Sequence, residues 1–141
     1  MIVEAAKETD MPTLCELFNQ ARERNGSFPK EHYGVAEFLR VIEGETILVT
    51  RIGGEIVGFA SVWEPDIFLH HLYVSPHYQH QGIGSALVEH CVSQFGLPMS
   101  LKCIESNIGA CRFYEKRGWR CSEMAEGPEG RYVLYVRENA A

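Results

Sequence analysis

Apolar side chains at Leu14, Leu17, Phe18 and Ala21 repeat at the spacing of one helix face, with Asp10 as a capping residue before them and Pro12 suited to the first turn. A short strand, Ile2–Ala5, precedes this helix. Residues 22–33 hold Gly26, Ser27 and Pro29 and are expected to form a loop, followed by a second helix over residues 35–42 closed by Gly44. Thr46–Ile52 and Glu55–Trp63 are rich in β-branched residues, and the Gly53-Gly54 pair between them predicts a tight hairpin. Residues 67–74 form the next strand, stopped by Ser75 and Pro76.

The period then changes. Ile83, Leu87, Cys91 and Phe95 recur every fourth residue, and Val88 and Val92 widen the stripe, until Gly96 and Pro98 end a helix. Met99–Ile104 reads as a strand, and Ser106 or Asn107 caps a further helix through Arg117, with Gly118 at its left-handed ending. Residues 131–136 make a last strand, which residues 121–124 join across the turn holding Gly127, Pro128 and Gly130. No repeat or linker interrupts this order, so residues 1–141 are expected to form one domain of the α/β (α+β) class, a mixed sheet with helices packed on it.

Composition narrows the partners. With 19 acidic and 13 basic side chains the chain carries a formal charge of -6 and lacks the basic stripe that nucleic acid requires, whereas a cationic or amine partner would suit it. MIVEAAKETD has no apolar signal core, and no apolar run approaches ~18 residues, so a soluble, cytoplasmic protein without membrane contact is expected. Cys15, Cys91, Cys103, Cys111 and Cys121 form no C-x-x-C pair and sit in apolar patterns, the expectation for reduced core thiols.

Candidate chemistry concentrates where the strand ending at Val74 bends into the helix beginning near Gly82. The first amides of a helix lack carbonyl partners, and together with the helix dipole they favour an anion. Gly82 and Gly84 remove Cβ atoms that would hold a phosphate away, so the turn reads as a pyrophosphate cradle. Ser85 and Ala86 follow Gly84 with no lysine, which excludes a nucleotide-hydrolysing P-loop, and Leu87 stands where a dinucleotide fingerprint needs a third glycine. His70, His71, His77 and His80 fall within eleven residues, but neighbouring strand positions face opposite ways and no ligand motif accompanies them. No metal is expected.

These residues carry a family resemblance. Gln79, Gly82 and Gly84 after Val74-Ser75-Pro76, and Asn107, Phe113-Tyr114-Glu115-Lys116 and Gly118-Trp119 after them, resemble the two motifs of the GNAT superfamily of acyl-CoA-dependent N-acetyltransferases. The resemblance implies a mostly antiparallel central sheet of about six to seven strands, splayed between the fourth and fifth, with about four helices on both faces. It implies acetyl-CoA as acyl-donor cosubstrate and no metal. The backbone amides of His80, Gln81, Gly82, Ile83, Gly84 and Ser85 would hold its pyrophosphate, with Gln79 in the same motif. The free edge of Leu72, Tyr73 and Val74 would pair with the pantetheine arm as a strand would, and Asn107 would bond that arm.

Acetyl transfer to a primary amine needs a base, a donor at the developing oxyanion and a proton for the thiolate. The resemblance gives the proton to Tyr114, which would also touch the cofactor, and Leu72 or Val74 N–H is a candidate oxyanion donor. Lys102 stands where some members carry a glutamate base, a departure that removes that carboxylate. Other members use a histidine on the preceding strand, and His70 takes that place, since an unperturbed imidazole titrates near ~6.5. His71 is expected on the opposite face, and Glu64, Asp66 or a water relay are the other routes for the proton. The acceptor, a small amine or amino-acid-like molecule, would lie against residues 17–38 and 63–66, with Phe28, His32, Tyr33 and Trp63 as candidate walls. A protein or peptide amine is the alternative acceptor, and a CoA-binding sensor without turnover is the alternative of another class. A homodimer through the late strands is also implied.

Overall fold

The Gly53-Gly54 hairpin turns with φ of 59° and 82°, the left-handed pair that lets two twisted strands reverse in two residues. It joins two neighbouring strands of a computed structural model that describes residues 1–25 and 32–139. Along the chain run β1 (Ile2–Ala5), α1 (Met11–Asn25), α2 (Val35–Val41), β2 (Thr46–Ile52), β3 (Glu55–Trp63), β4 (Phe68–Val74), α3 (Ile83–Phe95), β5 (Met99–Ile104), α4 (Ile108–Lys116), β6 (Arg120–Gly127) and β7 (Gly130–Arg137). The seven strands lie in the order β1-β2-β3-β4-β5-β7-β6. Every neighbouring pair is antiparallel except β4 and β5, which are parallel.

Alternating side chains place one hydrophobic cluster on each face of the sheet. On one face α3 sets Ile83, Leu87, Val88 and Cys91 against Val57, Ala60 and Leu101, all below 3% exposed. On the other, Leu14 and Phe18 of α1 and Phe38 of α2 close over Val49 and Phe59. Truncating a side chain as buried as Leu87 removes its transfer free energy and leaves a void, together ~2–5 kcal/mol. Both helical layers are thus held to the strands that carry the site.

Three expectations change. α1 runs on through Asn25 instead of ending before Arg22, because the Arg22 guanidinium stacks 5.2 Å from the Phe18 ring and 5.1 Å from the Tyr33 ring, and its stem is buried along the helix. Gly26, Ser27, Phe28 and Pro29 of the expected loop lie outside the described residues. β6 is longer than residues 121–124, and as an outer strand it leaves Cys121 exposed instead of in the core. Asp10 ends a 3-10 turn ahead of α1, where its carboxylate accepts from the Lys7 N–H and from Arg51.

The sheet opens between β4 and β5. These strands meet only where Phe68 faces Ser100, and beyond that point they diverge. On its other side β4 follows β3 closely, except that Ser61 faces His71 while the next residue, Val62, faces Leu69. His70 is the extra residue of a β-bulge, which bends β4 just before the gap.

Candidate functional site

The gap leaves backbone donors without a strand to receive them. Ser75 N–H bonds to the Val57 carbonyl at 2.7 Å, on the β3 side. Strand alternation gives Tyr73 that same side and turns the N–H groups of Leu72 and Val74 toward the gap. The Val74 carbonyl there accepts from Gln79 Nε2 at 2.8 Å, so the Gln79 side chain ties the following turn to the end of β4.

Past Val74 the chain enters α3 through left-handed residues, His80 at φ 61° and Gly82 at φ 79°. Ala86 N–H closes the first helical bond, on the Gly82 carbonyl at 3.0 Å, which leaves the amides of Ile83, Gly84 and Ser85 without a carbonyl behind them. A Cβ on Gly82 would meet nothing within 4 Å, so the space before these donors is open to a phosphate. Gly84 differs from expectation. A Cβ there would lie 3.4 Å from Phe113 Cζ, so its missing side chain lets α3 pack on α4.

A cavity of about 500 Å³ follows the gap from these amides inward. Its walls include Leu72, Tyr73, Val74, Gln79, His80, Gly82, Ile83, Gly84, Ser85, Asn107 and Tyr114. Gln81 is exposed and is not among them. Asn107 caps α4 by accepting from Ala110 N–H at 3.2 Å. Arg117, which the sequence reading missed, lines the same cavity with its guanidinium 3.8 Å over the Phe113 ring. A cation at the end of α4 fits the helix dipole, so its position gave no separate sign of a ligand.

A second cavity of about 440 Å³ lies on the other side of the gap, walled by His70, His71, Lys102, Cys103, Tyr132 and the β6–β7 turn at Gly127, Pro128, Glu129 and Gly130. The two cavities meet at Leu72, Tyr73, Asn107, Ala110 and Tyr114. Of the expected acceptor walls, this cavity takes Arg22 but none of His32, Tyr33, Trp63, Glu64 or Asp66. The turn after β3 instead brings Glu64 to the Thr46 hydroxyl, and the β6–β7 hairpin closes the cavity in its place. Arg22 joins the two sides through Glu129 at 3.4 Å.

Tyr114 stands at the junction, its ring edge-on to Phe113 at 5.1 Å and to Trp119 at 5.8 Å. Burial pushes its hydroxyl well above the usual phenol range, and the nearby Cys103 thiol, Tyr73 and Cys111 add to the effect. The group therefore carries its proton throughout the neutral range. Tyr73, on the α1 side of β4, is likewise raised by burial to about 12.

The bulge overturns one expectation about the histidines. Because His70 is the extra residue, its ring stacks on that of His71 with centroids 3.8 Å apart instead of pointing to the opposite face. Both rings meet Glu45, another residue the sequence reading missed. A Cβ on Gly44 would come within 2.9 Å of the Trp63 ring, so only glycine lets the chain pass beneath that ring and enter β2 with Glu45 aimed at β4. Glu45 Oε2 is 2.5 Å from His70 Nδ1 and Oε1 is 3.8 Å from His71 Nδ1, while the Ser61 hydroxyl lies 2.9 Å from His71 Nδ1. Burial resists the charge on Glu45, but His70, His71 and Ser61 outweigh it and hold the carboxyl at about 2. Burial also pushes His71 below the usual imidazole range, so it stays neutral. The donor atoms of Glu45, His70 and His71 all lie within 4.8 Å of one another. The opposite-face argument against a metal therefore does not hold.

A half-open sheet with free amides along its gap and at the helix beyond it offers main-chain donors to an extended ligand. A sequence model of the acetyltransferase (GNAT) family matches residues 11–119, and the chain belongs to that family. Among solved structures, it is similar to the ribosomal-protein-alanine N-acetyltransferase from Brucella melitensis (17% identity, TM-score 0.77, covering 99% of this chain and 100% of that one). It is also similar to an N-acetyltransferase from Staphylococcus aureus Mu50 (16% identity, TM-score 0.79, 97% of each chain). A third is yncA from Salmonella typhimurium, solved with its cofactor acetyl-CoA (17% identity, TM-score 0.77, 100% of this chain and 96% of that one). At such identities these likenesses describe the fold. No curated protein sequence matches the chain. Among the described residues no helix is long and apolar enough to cross a membrane.

Proposed function

We propose that the protein moves the acetyl group of acetyl-CoA to a primary amine by direct attack within a ternary complex. The observation that carries this reading is the meeting of the two cavities at Leu72, Asn107 and Tyr114, which would let a donor in one and an acceptor in the other touch without a covalent enzyme intermediate. The amides of residues 80–85 hold the pyrophosphate, Arg117 adds a cation at the same cavity, and the gap-facing N–H groups of Leu72 and Val74 pair with the pantetheine arm. Acetyl-CoA supplies the thioester whose carbonyl the amine attacks.

Leu72 or Val74 N–H stabilises the oxyanion as it forms, a contribution worth ~3–4 kcal/mol when such a donor is preorganised. Tyr114 gives its proton to the departing thiolate, and its raised titration range keeps that proton available. His70 takes the proton from the attacking amine at the wall of the acceptor cavity. No metal takes part.

An acceptor cavity of about 440 Å³ suits a small amine or an amino-acid-like molecule. A second acceptor class, the N-terminus of a protein or peptide, is favoured by the likeness to the ribosomal-protein-alanine N-acetyltransferase. The use of acetyl-CoA fits a cytoplasmic enzyme, and the exposed outer strand β6 is where two copies would pair in a homodimer.

An acceptor screen with acetyl-CoA across amines, amino acids and peptides, following thiol release, tests the reading. Release with an amine acceptor is expected. Tight CoA binding without release for any acceptor would identify instead a domain that binds CoA as a sensor or partner module.

A further inference from the structure

The register of three adjacent strands gathers a polar cluster that the reaction as derived above uses only in part. Ile47 faces Ser61 across β2 and β3, and Ser61 faces His71 across β3 and β4. Glu45, two positions before Ile47, therefore projects to the same side, and its side chain is only 6% exposed. A carboxylate brought this far out of water needs polar partners to remain charged. Here it finds His70 Nδ1 at 2.5 Å, with Ser61 and His71 beside it.

We infer that Glu45 is a positioning residue: its carboxylate holds the proton of His70 on Nδ1, so that Nε2 keeps the lone pair that accepts the proton of the attacking amine. This rests on the reading of His70 as the base. The step balances simply. An N–H bond of the amine breaks, a new bond forms between that proton and His70 Nε2, and the nitrogen electron pair remains for attack on the thioester carbonyl.

An ionised carboxylate can only accept a hydrogen bond, so the imidazole nitrogen that touches it must carry the hydrogen. A neutral imidazole has one such nitrogen, and fixing it fixes the other as acceptor. Glu45 then also stabilises the imidazolium that forms when His70 takes the proton, the role a buried carboxylate plays behind a histidine base. His71 does not compete. Its ring is 9% exposed and stacked on His70, so a second positive charge there would be both desolvated and repelled. The other charged groups facing this corner are Arg22 from α1, Lys102 from β5 and Glu129 from the β6–β7 turn.

Long-range proton–nitrogen NMR of the histidine-labelled protein tests the inference without any acceptor. In the wild-type protein the signals of the neutral His70 ring should be those of the Nδ1–H tautomer. In Glu45→Ala they should move toward the Nε2–H form that free histidine prefers. Glu45→Gln keeps the shape and an acceptor oxygen but no charge. It should therefore retain the tautomer while lowering kcat by ~10- to 100-fold, with the KM for acetyl-CoA within about twofold. An Nε2–H tautomer in the folded wild-type protein overturns the inference even if the enzyme is active. Full turnover in Glu45→Ala overturns it as well. If the tautomer is as stated but no amine is acetylated, the functional reading fails while the placement of the proton stands.

Discussion

A Cβ on Gly84 would lie 3.4 Å from Phe113 Cζ, whereas one on Gly82 would meet nothing within 4 Å. Two glycines that look alike in the sequence therefore do different work. Gly84 lets α3 and α4 touch beside the first cavity, and Gly82 supplies the left-handed backbone that aims the amides.

Substitutions at the two positions should separate these roles. Gly82→Ala places an L side chain at φ 79° and is expected to cost ~1–2 kcal/mol and to raise the KM for acetyl-CoA as the amides turn. Gly84→Ala brings a near-ordinary contact and a better helix former, so its stability should stay within ~1 kcal/mol and its KM close to wild type. Thermal unfolding and acetyl-CoA titration of both variants check this. Equal losses would show that both glycines clear space for the phosphate.

Tyr114→Phe keeps the packing at the junction of the cavities and removes only the proton. The expected result is a kcat ~10- to 1,000-fold lower with CoA binding unchanged. Because burial raises the hydroxyl well above its ordinary range, wild-type activity should show no loss from tyrosine ionisation up to pH ~10. A decline between pH ~8 and ~9 that disappears in the variant would contradict the buried, protonated state.

Glu45 should make the fold acid-sensitive in a defined window. Its folded pKa of about 2 lies below the 4.5 of an ordinary glutamate, so the native state binds fewer protons than the unfolded chain between these values. The contribution is fully present above the unfolded pKa and is lost as pH falls through the folded one, on the order of 3 kcal/mol in total. Urea unfolding of the wild type and Glu45→Gln at pH ~6 and pH ~3 measures it. The variant should lose less stability over that span, and an identical loss would assign the acid sensitivity to other carboxylates.

The thiols should react in order of exposure. Cys121 is exposed, while Cys91 is buried and raised to about 12 by desolvation, so a disulfide reagent at pH ~8 should modify Cys121 first and leave Cys91 to unfolding. Mass spectrometry of the partly labelled protein locates the adduct. Cys121→Ser should then lower the enzyme's own signal in a thiol-release assay without changing turnover.

Metal removal should leave the reaction intact. The protein dialysed against a chelator is expected to keep its rate, with zinc or nickel restoring nothing. A rate that falls on dialysis and returns with one metal would assign that metal to Glu45, His70 and His71, whose donor atoms lie close enough to share an ion.

Local chemistry by itself determined much of this protein. The strands Ile2–Ala5, Thr46–Ile52, Glu55–Trp63 and Met99–Ile104 were legible because side-chain alternation and Gly-Gly turns are properties of neighbouring residues. The helix start at Gly82 and an N-cap at Ser106 or Asn107, which falls to Asn107, were legible for the same reason. The tertiary structure alone decided the rest. A single extra residue at His70 put two histidines on one side of β4, and strand register carried Glu45 and Ser61 to meet them from positions that no local pattern connects. The second cavity likewise depends on where the β6–β7 hairpin closes against β5, through pairings such as Met99 with Arg137 that join residues far apart in the chain. Spacing along a sequence fixes which face a side chain takes, but contact between distant segments depends on how the whole sheet twists and bulges, and that is set only when its strands are assembled.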